Sequence, residues 1–323
     1  MIKTISFATV CIALAFTTSA TAAEPYPTKP VKVIVPWPPG QATDAATRAV
    51  SQHLATSMGQ PFIVDNRAGA GGAIGSDAVA KSPPDGYTLL AASTGSVTVN
   101  PLISKTPYDF KSFVPAGVIA TVPYVLVTSS TFPAKDAPSL IAMLRANPGQ
   151  YTYASSGNGS IGHLIAELFL SRIDVKSSHV PYKGSGPALI DVMTGRVDFM
   201  FDSVTSVLPH VKSGRLKAYG LSSAKRSSTL PDIPSLASVT DLRDFDLYAW
   251  IGFMAPAGTP EAALSALNKN IQAAVSSKSV QDQYKTIGVE AAEQGTPADM
   301  AKLLDAERTR LGALIRAANI KSE

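Results

Sequence analysis

The sequence predicts an α/β protein of two lobes with mixed, mainly parallel sheets covered by helices. Strand-like and helix-like runs alternate along most of the chain, which is typical of βαβ units and therefore of parallel strands. The composition is 45% hydrophobic and 16% charged, which suffices for packed cores. The roughly 300 residues left after an N-terminal export signal are a usual length for two domains.

Residues 1–22 have the features of that export signal. Lys3 gives the segment a positive start, and the apolar run over 5–16 is too short to span a bilayer. Small residues at both ends of the 20–22 tripeptide fit the usual cleavage pattern, so we expect cleavage near Ala22/Ala23 and a periplasmic location. The single cysteine lies inside this signal, so the mature chain would have no disulfide and no thiol chemistry.

The first part of the chain alternates strands and helices. The run over 31–35 is apolar enough for a buried strand, and the helix after it has Ala46, Val50 and Leu54 on one face and Gly59 as its stop. The expected elements here are strands over 31–35, 62–64 and 87–92 and helices over 43–58 and 74–81.

The middle part repeats the same alternation, with turn residues such as Asn147-Pro148-Gly149 between elements. The repetition predicts a second sheet. Its expected elements are strands over 124–128, 151–154, 179–181, 197–201 and 216–221 and helices over 139–145, 161–172, 187–194 and 204–213.

The last part becomes helical after a strand over 250–255. Two long amphipathic helices, over 260–276 and 297–318, have no sheet of their own, so we expect them to pack on the first lobe. The chain would then cross between lobes near 119–124 and 246–252, and two crossings make a hinge that can close a cleft. The expected division is lobe 1 over 23–122 plus 249–323 and lobe 2 over 123–248.

Ligands of doubly wound sheets bind beyond the carboxyl ends of the strands, so the loops at those ends are candidate sites. The loop over 36–44 leads into the first helix, where unpaired backbone N–H groups and the helix dipole favour an anion, and three prolines stiffen it. Thr43 or Asp44 could also cap the helix, and Trp37 could support a ligand ring or simply pack. The candidates are Trp37, Pro39, Gly40, Gln41, Thr43 and Asp44, with Thr94 after the third strand.

The loop over 66–75 is rich in glycine but does not match a dinucleotide fingerprint, because Ile74 stands where the third glycine is needed. We interpret it as a tight, closely packed turn. No phosphate-binding GxxxxGK[ST] loop is present, and the four histidines do not pair at metal spacing. We therefore expect no cofactor and no metal.

A third loop, over 155–160, again joins a strand to a helix. Its small hydroxyls and glycines would expose several N–H donors to one point. His163, in the first turn of that helix, is either a ligand contact or a buried, hydrogen-bonded histidine. A nucleophile elbow at Ser160 would need glycine where Asn158 stands, so a serine hydrolase using Ser156 or Ser160 with His163 is the weaker alternative. The candidates are Ser155, Ser156, Gly157, Asn158 and His163.

A fourth group consists of Tyr182, Lys183 and Asp202. Lys183 could be a ligand cation or a solvated charge, and Asp202 could cap the next helix or orient ligand donors and water. Polar donors without a reactive residue indicate binding rather than catalysis, so we expect no enzyme activity. The net charge of +4 is scattered along the chain, without the dense basic stripe that nucleic-acid binding usually requires.

Six motifs in order along the chain resemble those of one family. They are Pro36-x-x-Pro39-Gly40-x-x-x-Asp44, Asn66-Arg67-x-Gly69-Ala70-Gly71-Gly72-x-Ile74-Gly75, Pro83-Pro84-Asp85-Gly86-Tyr87, Ser155-Ser156-Gly157-Asn158-Gly159, Val180-Pro181-Tyr182-Lys183-Gly184 and Ala255-Pro256-Ala257-Gly258-Thr259-Pro260. Together they resemble the Bug family, the extracytoplasmic solute receptors of tripartite tricarboxylate transporters, over nearly the whole mature chain.

This resemblance implies a type II periplasmic-binding-protein (Venus flytrap) fold. It implies a ligand such as a di- or tricarboxylate, an acidic amino acid or an aromatic carboxylate, and large and small integral membrane subunits as partners of a monomeric receptor. A ligand sensor that feeds a two-component system is an alternative output of the same fold. The family's grip on a carboxylate maps onto Pro39, Gly40, Thr43 and Asp44 in lobe 1 and Ser156, Gly157 and Asn158 in lobe 2.

One position departs from the family pattern. Gln41 stands where the family usually has the second glycine of a Gly-Gly pair. Its amide could supply a ligand-specific hydrogen bond or make the pocket smaller.

Overall fold

The structure, a computed structural model, describes residues 26–321. The backbone forms two mixed sheets covered by helices, which confirms the predicted fold class. The export signal and its cleavage site lie outside the described residues. Within 26–321, no helix is both long enough and apolar enough to cross a membrane.

The strands of this part of the chain follow the predicted alternation, with bounds that differ by one or two residues in most cases. They are β1 (Val31–Val35), β2 (Phe62–Asn66), β3 (Thr88–Ser93), β4 (Phe113–Val122), β5 (Tyr124–Ser129), β6 (Thr152–Ser155), β7 (Ser178–Pro181), β8 (Phe199–Ser203), β9 (Leu216–Leu221), β10 (Ala249–Pro256) and β11 (Glu290–Ala291).

The helices complete the alternation. They are α1 (Ala42–Met58), α2 (Ala73–Ala80), α3 (Asn100–Ile103), α4 (Ala137–Ala146), α5 (Ile161–Ile173), α6 (Ser185–Met193), α7 (Val204–Lys212), α8 (Glu261–Ser276), α9 (Lys278–Ile287) and α10 (Pro297–Ala317). A π-helical turn, Thr94–Val99, leads from β3 into α3, and short 3-10 turns occur at Ala70–Gly72, Phe110–Ser112, Leu236–Ser238 and Thr240–Leu242.

The first sheet, which defines lobe 1, has the strand order β11-β4-β10-β3-β1-β2. β1 pairs in parallel with β2 and with β3, as the alternating pattern predicts. β10 lies antiparallel between β3 and β4, although it comes far later in the chain. Helices α1, α8 and α9 contribute to the core on one face, while α2 and the beginning of α10 contribute to the core on the other.

β4 is an element that sequence patterning misses, because Pro115 and Gly117 interrupt its apolar run. Two register shifts in its pairing with β10 accommodate these residues. Asn268 of α8 also donates its amide N–H to the carbonyl oxygen of Ala116 at 2.9 Å. α9 is missed for another reason: its buried residues are only Val280 and Tyr284, which is too little periodicity to recognise.

The second sheet, which defines lobe 2, has the order β7-β6-β8-β5-β9. β6 pairs in parallel with β7 and β8, and β5 is antiparallel to β8 and β9. Only Pro123 separates β4 of the first sheet from β5 of the second, and the chain returns to the first sheet at β10. Because β6 and β8 are parallel, the loops that lead from them into α5 and α7 lie at the same edge of this sheet.

The last helix, α10, joins the two lobes. Met300 near its beginning belongs to the core of lobe 1. Leu311 and Ile315, roughly three and four turns further on, belong to the apolar cluster of lobe 2 that also contains Phe169 of α5. We expected this helix to pack on the first lobe, and its second half instead packs on the second.

Candidate ligand-binding site

The loop between β1 and α1 is exposed at its tip, at Pro39, Gly40 and Gln41. Gly40 has φ +84°, a left-handed conformation that favours glycine. Gln41 is the N-cap of α1, and its side chain makes no capping hydrogen bond. Capping by Thr43 or Asp44 is therefore wrong, since both lie inside the first helical turn, where they are buried. The amides of this turn have no side-chain cap.

Asp44 fixes the shape of this loop from inside the helix. Its carboxylate accepts the backbone N–H of Gly40 at 2.9 Å, the Nδ2–H of Asn66 at 2.9 Å and the Nε–H of Arg48 at 3.0 Å. Burial by itself would raise the pKa of Asp44, but the hydrogen bonds from these three groups outweigh it and hold the pKa below the ordinary value. Asp44 is therefore a charged anchor of the loop.

Trp37 is held by the end of β3. Its Nε1–H donates to the hydroxyl of Ser93 at 3.0 Å, and its carbonyl oxygen accepts from Asn66 at 3.0 Å. A methyl group built on Gly95 would lie 3.1 Å from the indole ring, so the ring packs on the backbone there. The indole is half-buried and fixed, with its N–H used inside the protein.

Thr94 and the glycine-rich segment serve packing. Thr94 is fully buried, and its hydroxyl oxygen accepts the N–H of Trp250 at 3.0 Å. A Cβ on Gly72 would come within 2.8 Å of the Ser96 side chain, and one on Gly75 would come within 2.9 Å of Pro36. The interpretation of this segment as a closely packed turn is confirmed.

The loop between β6 and α5 uses several of its own amides internally. Gly157 donates its N–H to the hydroxyl of Ser155 at 3.2 Å, and Gly159 donates to Nδ1 of His163 at 3.0 Å. Ser160 donates its N–H to the carbonyl oxygen of Gly157. We expected these amides to converge on a ligand, and three of them instead hold the loop together. Ser155 is fully buried, whereas Ser156, Gly157 and Asn158 are half-buried.

His163 lies below this loop and is 6% exposed. Burial, together with the neighbouring His179, lowers the pKa of His163 to about 3. Of the two alternatives for this residue, the structure supports the buried, hydrogen-bonded histidine.

The loop after β7 is tied to the loop before α5. Tyr182 donates its N–H to the carbonyl oxygen of Ser155 at 3.0 Å, and Gly184 donates to that of Ser156 at 3.1 Å. The Tyr182 hydroxyl donates to Asp191 at 2.7 Å, so this polar group is used within lobe 2. Lys183 is exposed.

Asp202, at the end of β8, is 3% exposed. One carboxylate oxygen accepts the N–H of Ser203 at 2.7 Å, and the other has no hydrogen-bond partner within residues 26–321. Burial raises the pKa of Asp202 to about 6, although the polar groups of Ser185 and Ser203, which favour the charged carboxylate, act to lower it. Capping of α7 by Asp202 is wrong, because Ser203 is the N-cap.

Four helices begin at the carboxyl ends of the relevant strands, and they differ in how their N-termini are satisfied. Ser160 caps α5 and Ser203 caps α7 through their hydroxyls. The N-cap residues of α1 and α6, Gln41 and Gly184, make no side-chain capping hydrogen bond. One uncapped helix end therefore lies in each lobe, and each can stabilise a negative charge.

The geometry required by the hydrolase alternative is not found at His163. Nδ1 of His163 accepts from Gly159, and Nε2 lies 4.0 Å from Glu167, so neither ring nitrogen contacts Ser160. The Ser160 hydroxyl instead accepts the backbone N–H of His163. Across residues 26–321, no group of three or more acidic, histidine or cysteine side chains is arranged to hold a metal ion.

Sequence reasoning missed several residues that shape these loops. Asn66 and Arg48 complete the anchor around Asp44, and Arg48 also donates to Asn66 at 2.8 Å. Ser93 holds Trp37, and His179 stacks on His163. Asn66 could have been predicted from the sequence, because a polar residue at the end of a buried parallel strand often faces the ligand site.

Comparison with known proteins places the chain among solute receptors. A family model described as the tripartite tricarboxylate transporter family receptor matches residues 46–320. Protein BugT of Bordetella pertussis is 39% identical over 282 residues, which cover 86% of this chain and 86% of that protein. These matches confirm the resemblance that the six motifs indicated.

Two solved structures with bound carboxylates share the fold. Rpa4515 of R. palustris, solved with adipate, is 33% identical with a TM-score of 0.81, covering 92% of this chain and 100% of that chain. MatC of Rhodopseudomonas palustris, solved with malate, is 30% identical with a TM-score of 0.75, covering 90% and 100%.

Proposed function

Because the chain belongs to the tripartite tricarboxylate transporter receptor family, we propose that it binds a small carboxylate between its two lobes and delivers it to the membrane subunits of such a transporter. The observation that carries the proposal is the N-terminus of α1. Gln41 leaves its first amides without a side-chain cap, and the Asp44 anchor holds the preceding loop in one shape. A rigid, uncapped helix end is suited to a carboxylate.

The negative charge of Asp44 does not oppose this role. Arg48 and Asn66 both donate to its carboxylate, so the charge is neutralised locally before a ligand arrives. The ligand carboxylate then meets the amides of α1 rather than an uncompensated anion.

A dicarboxylate suits the site better than a monocarboxylate. The uncapped end of α6 at Gly184 offers a second positive pole in lobe 2, with the exposed Lys183 next to it. The adipate and malate bound to two similar proteins each carry two carboxylates. Gln41, exposed at the tip of the lobe 1 loop, is positioned to select among such ligands.

Hydrogen bonds alone can supply the affinity. A hydrogen bond to a charged group contributes roughly 1.5–3 kcal/mol net, and micromolar binding needs about 8 kcal/mol. Four or five such bonds, less the cost of ordering, reach this range without a metal ion.

Calorimetry on protein that has been unfolded and refolded, to remove any co-purified ligand, tests the proposal. We expect micromolar binding of at least one of adipate, malate, glutamate, citrate and benzoate, with dicarboxylates ahead of benzoate. If a folded, ligand-free protein bound none of these five, the carboxylate receptor function would be wrong.

Delivery and location are part of the same proposal. We propose that the chain is exported, cleaved near Ala22/Ala23 and acts as a periplasmic monomer. Mass spectrometry of the mature protein should then give an N-terminus at or near Ala23. Uptake of the identified carboxylate should disappear when either this chain or its membrane subunits are deleted, whereas a sensor would leave uptake intact.

A further inference from the structure

Two imidazole rings stack behind the lobe 2 loop. His163 of α5 and His179 of β7 have ring centroids 3.9 Å apart and planes 20° apart. Tyr153 of β6 also stacks on His179, with centroids 4.8 Å apart, and its ring lies 6.1 Å from that of His163. Three elements of lobe 2 thus place an aromatic and imidazole stack directly under residues 155–160. None of these rings has a role in the proposed carboxylate site.

His163 holds one end of the loop through a specific ring nitrogen. The N–H of Gly159 points at Nδ1 from 3.0 Å, so Nδ1 must carry a lone pair rather than a proton. The proton of the neutral ring is then on Nε2, on the side of Glu167, whose carboxylate lies 4.0 Å away. Glu167 in turn accepts from the hydroxyl of Tyr153.

His179 holds the other end through Ser155. Its Nε2 lies 2.7 Å from the Ser155 hydroxyl, which lies 3.0 Å from the carbonyl oxygen of Gly157. The same hydroxyl oxygen accepts the N–H of Gly157. A hydroxyl has one proton, so if it donates to the carbonyl, His179 must donate from Nε2. Both histidines then carry their proton on Nε2.

We infer that His163 and His179 are positioning residues that fix the orientation of the lobe 2 loop before the ligand arrives. The inference rests on the proposed function. The amide of Gly159 is turned inward onto His163, and the amide of Gly157 is turned onto Ser155, whose hydroxyl contacts His179. Both glycines have positive φ, +139° and +71°, which permits that turn. Because these amides are already hydrogen-bonded, the rest of the loop has a fixed conformation before the ligand binds. Binding therefore loses little conformational entropy in this loop.

Burial of both rings, together with the stacking of one on the other, keeps the pair neutral. Protonated His163 would place an N–H donor against the N–H of Gly159, and the charged ring would face His179 of β7 across the stack. Tyr153 of β6 and Glu167 of α5 complete the surroundings, and burial lowers the pKa of His179 to about 4. The positioning contacts are therefore intact at neutral pH and are lost only in acid.

The test compares His163→Leu, which removes the acceptor, with His163→Asn, whose side-chain oxygen can take the place of Nδ1. Three properties are measured: hydrogen exchange of the Gly159 amide, ring-nitrogen spectra that show which nitrogen carries the proton, and adipate affinity at about pH 7.5. His163→Leu should speed exchange at Gly159 and weaken adipate binding roughly tenfold, equivalent to about 1.4 kcal/mol. His163→Asn should restore both to within about threefold.

His210→Leu is the matched control, because His210 of α7 contacts the exposed Arg215. It should change neither exchange at Gly159 nor adipate affinity. The inference is overturned if His163 carries its proton on Nδ1, or if His163→Leu leaves exchange at Gly159 unchanged.

Failure of the proposed function is a separate outcome. If wild-type protein binds none of adipate, malate, glutamate, citrate and benzoate but exchange at Gly159 follows the expected order of variants, the histidines position the loop and the carboxylate receptor function is wrong.

Discussion

At the scale of single residues, Asp44 couples the lobe 1 loop to the helix that follows it. The carboxylate reaches back to Gly40 and sideways to Asn66 on β2, so the loop, the helix and the neighbouring strand share one anchor. The side chain is 5% exposed, which makes these bonds costly to break.

Replacement of Asp44 by alanine should therefore reduce both stability and binding. We expect Asp44→Ala to lower the free energy of unfolding by about 1.5–3 kcal/mol, because it leaves the Gly40 amide and Asn66 without their partner. Carboxylate affinity should fall with it, as the loop loses its fixed shape. Denaturant titration and calorimetry measure the two effects.

Asp282→Ala is the control for this change. Asp282 also forms an ion pair four residues along a helix, with Lys278, but on an exposed surface. It should cost less than about 1 kcal/mol and leave binding unchanged. Equal effects of the two substitutions would contradict the role assigned to Asp44.

The buried histidines predict how stability depends on pH. His163 and His179 have folded pKa values of about 3 and about 4, below the unfolded value of 6.5. As pH falls below 6.5 these two side chains take up protons in the unfolded chain but not in the folded protein, so their contribution to stability decreases towards pH 4. The buried acids Asp202 and Glu307, whose pKa values are raised, act in the opposite direction, so the measurement compares wild type with His163→Asn. The denaturant midpoint of wild type should fall relative to that of His163→Asn between about pH 6.5 and 4. A difference between the two proteins that stays constant over this range would argue against burial of a neutral His163.

Sequence patterns identified the candidate loops better than the direction of individual side chains. Glycine, serine and proline at strand ends mark a loop, so the segments over 36–44 and 155–160 could be identified. Whether His163 faces the ligand or the core depends on where β7 lies, and that is a tertiary contact. Thr94 turned inward for the same reason, since its partner Trp250 is 156 residues away.

At the scale of elements, the turn before α5 contacts α3 of the other lobe. A Cβ built on Gly159 would lie 2.2 Å from the end of the Ile103 side chain, and Gly159 has φ +71°. This is a close approach between the end of the lobe 2 loop and the segment that follows Thr94 in lobe 1.

Gly159→Ala and Gly149→Ala separate backbone strain from this contact. Gly149 has φ +76° but nothing within 4 Å of a built Cβ, so its substitution reports the strain alone, about 1 kcal/mol. Gly159→Ala should cost more, and Ile103→Ala combined with it should recover the difference. Equal costs at the two glycines, measured by thermal unfolding, would show that Ile103 moves aside freely.

A buried acid joins α10 to β10. Glu307 is 3% exposed and accepts the Nε1–H of Trp250 at 2.5 Å. Burial raises the pKa of Glu307 to about 7, against the opposing effects of Trp250 and Arg310. The folded protein therefore holds a proton on Glu307 between the ordinary value of 4.5 and about 7, and stability is lost as pH rises through this window.

Glu307→Gln should remove this loss of stability at high pH, while its side-chain oxygen still accepts the hydrogen bond from Trp250. We expect the variant to exceed wild type in stability by about 3 kcal/mol near pH 8 and to match it near pH 4.5. Glu261→Gln, an exposed change at the start of α8, should give no pH-dependent difference. A difference for Glu307→Gln that did not vary with pH would mean that folding does not raise the pKa of Glu307.

Most elements could be predicted because their periodicity is local. The strand and helix bounds of β1, α1 and β9 followed from apolar spacing and from stops such as Gly59. β4 could not be predicted, because a proline such as Pro115 is expected only on an edge strand or at a bulge. The register shifts against β10, which leave Ala116 and Ile119 of β4 without a partner residue, are visible only in the tertiary structure.

At the scale of the whole molecule, α10 makes the lobes interdependent. Leu311 is fully buried in the cluster of lobe 2, while the same helix begins in the core of lobe 1. A motion that separates the lobes must therefore bend or shift this helix. A substitution on its apolar face should change the stability of both lobes.

Leu311→Ala should destabilise the two lobes together. We expect a loss of about 2–5 kcal/mol, as for other buried leucines. Both tryptophans, Trp37 and Trp250, lie in lobe 1, so fluorescence reports that lobe and far-ultraviolet circular dichroism reports all helices. The two signals should remain coincident in denaturant and shift by the same amount. A fluorescence transition left in place while the helical signal shifts would show that the lobes unfold independently.

The position of β10 between β3 and β4 has a consequence for the order in which the chain can assemble as it is synthesised. Until residue 249 has been made, β3 and β4 each present an open edge to solvent or to other chains. The strands of lobe 2 are contiguous in the sequence, so that sheet can pair fully once residue 221 is available. The second lobe can therefore complete its sheet while the first, although begun earlier, still waits for its central strand.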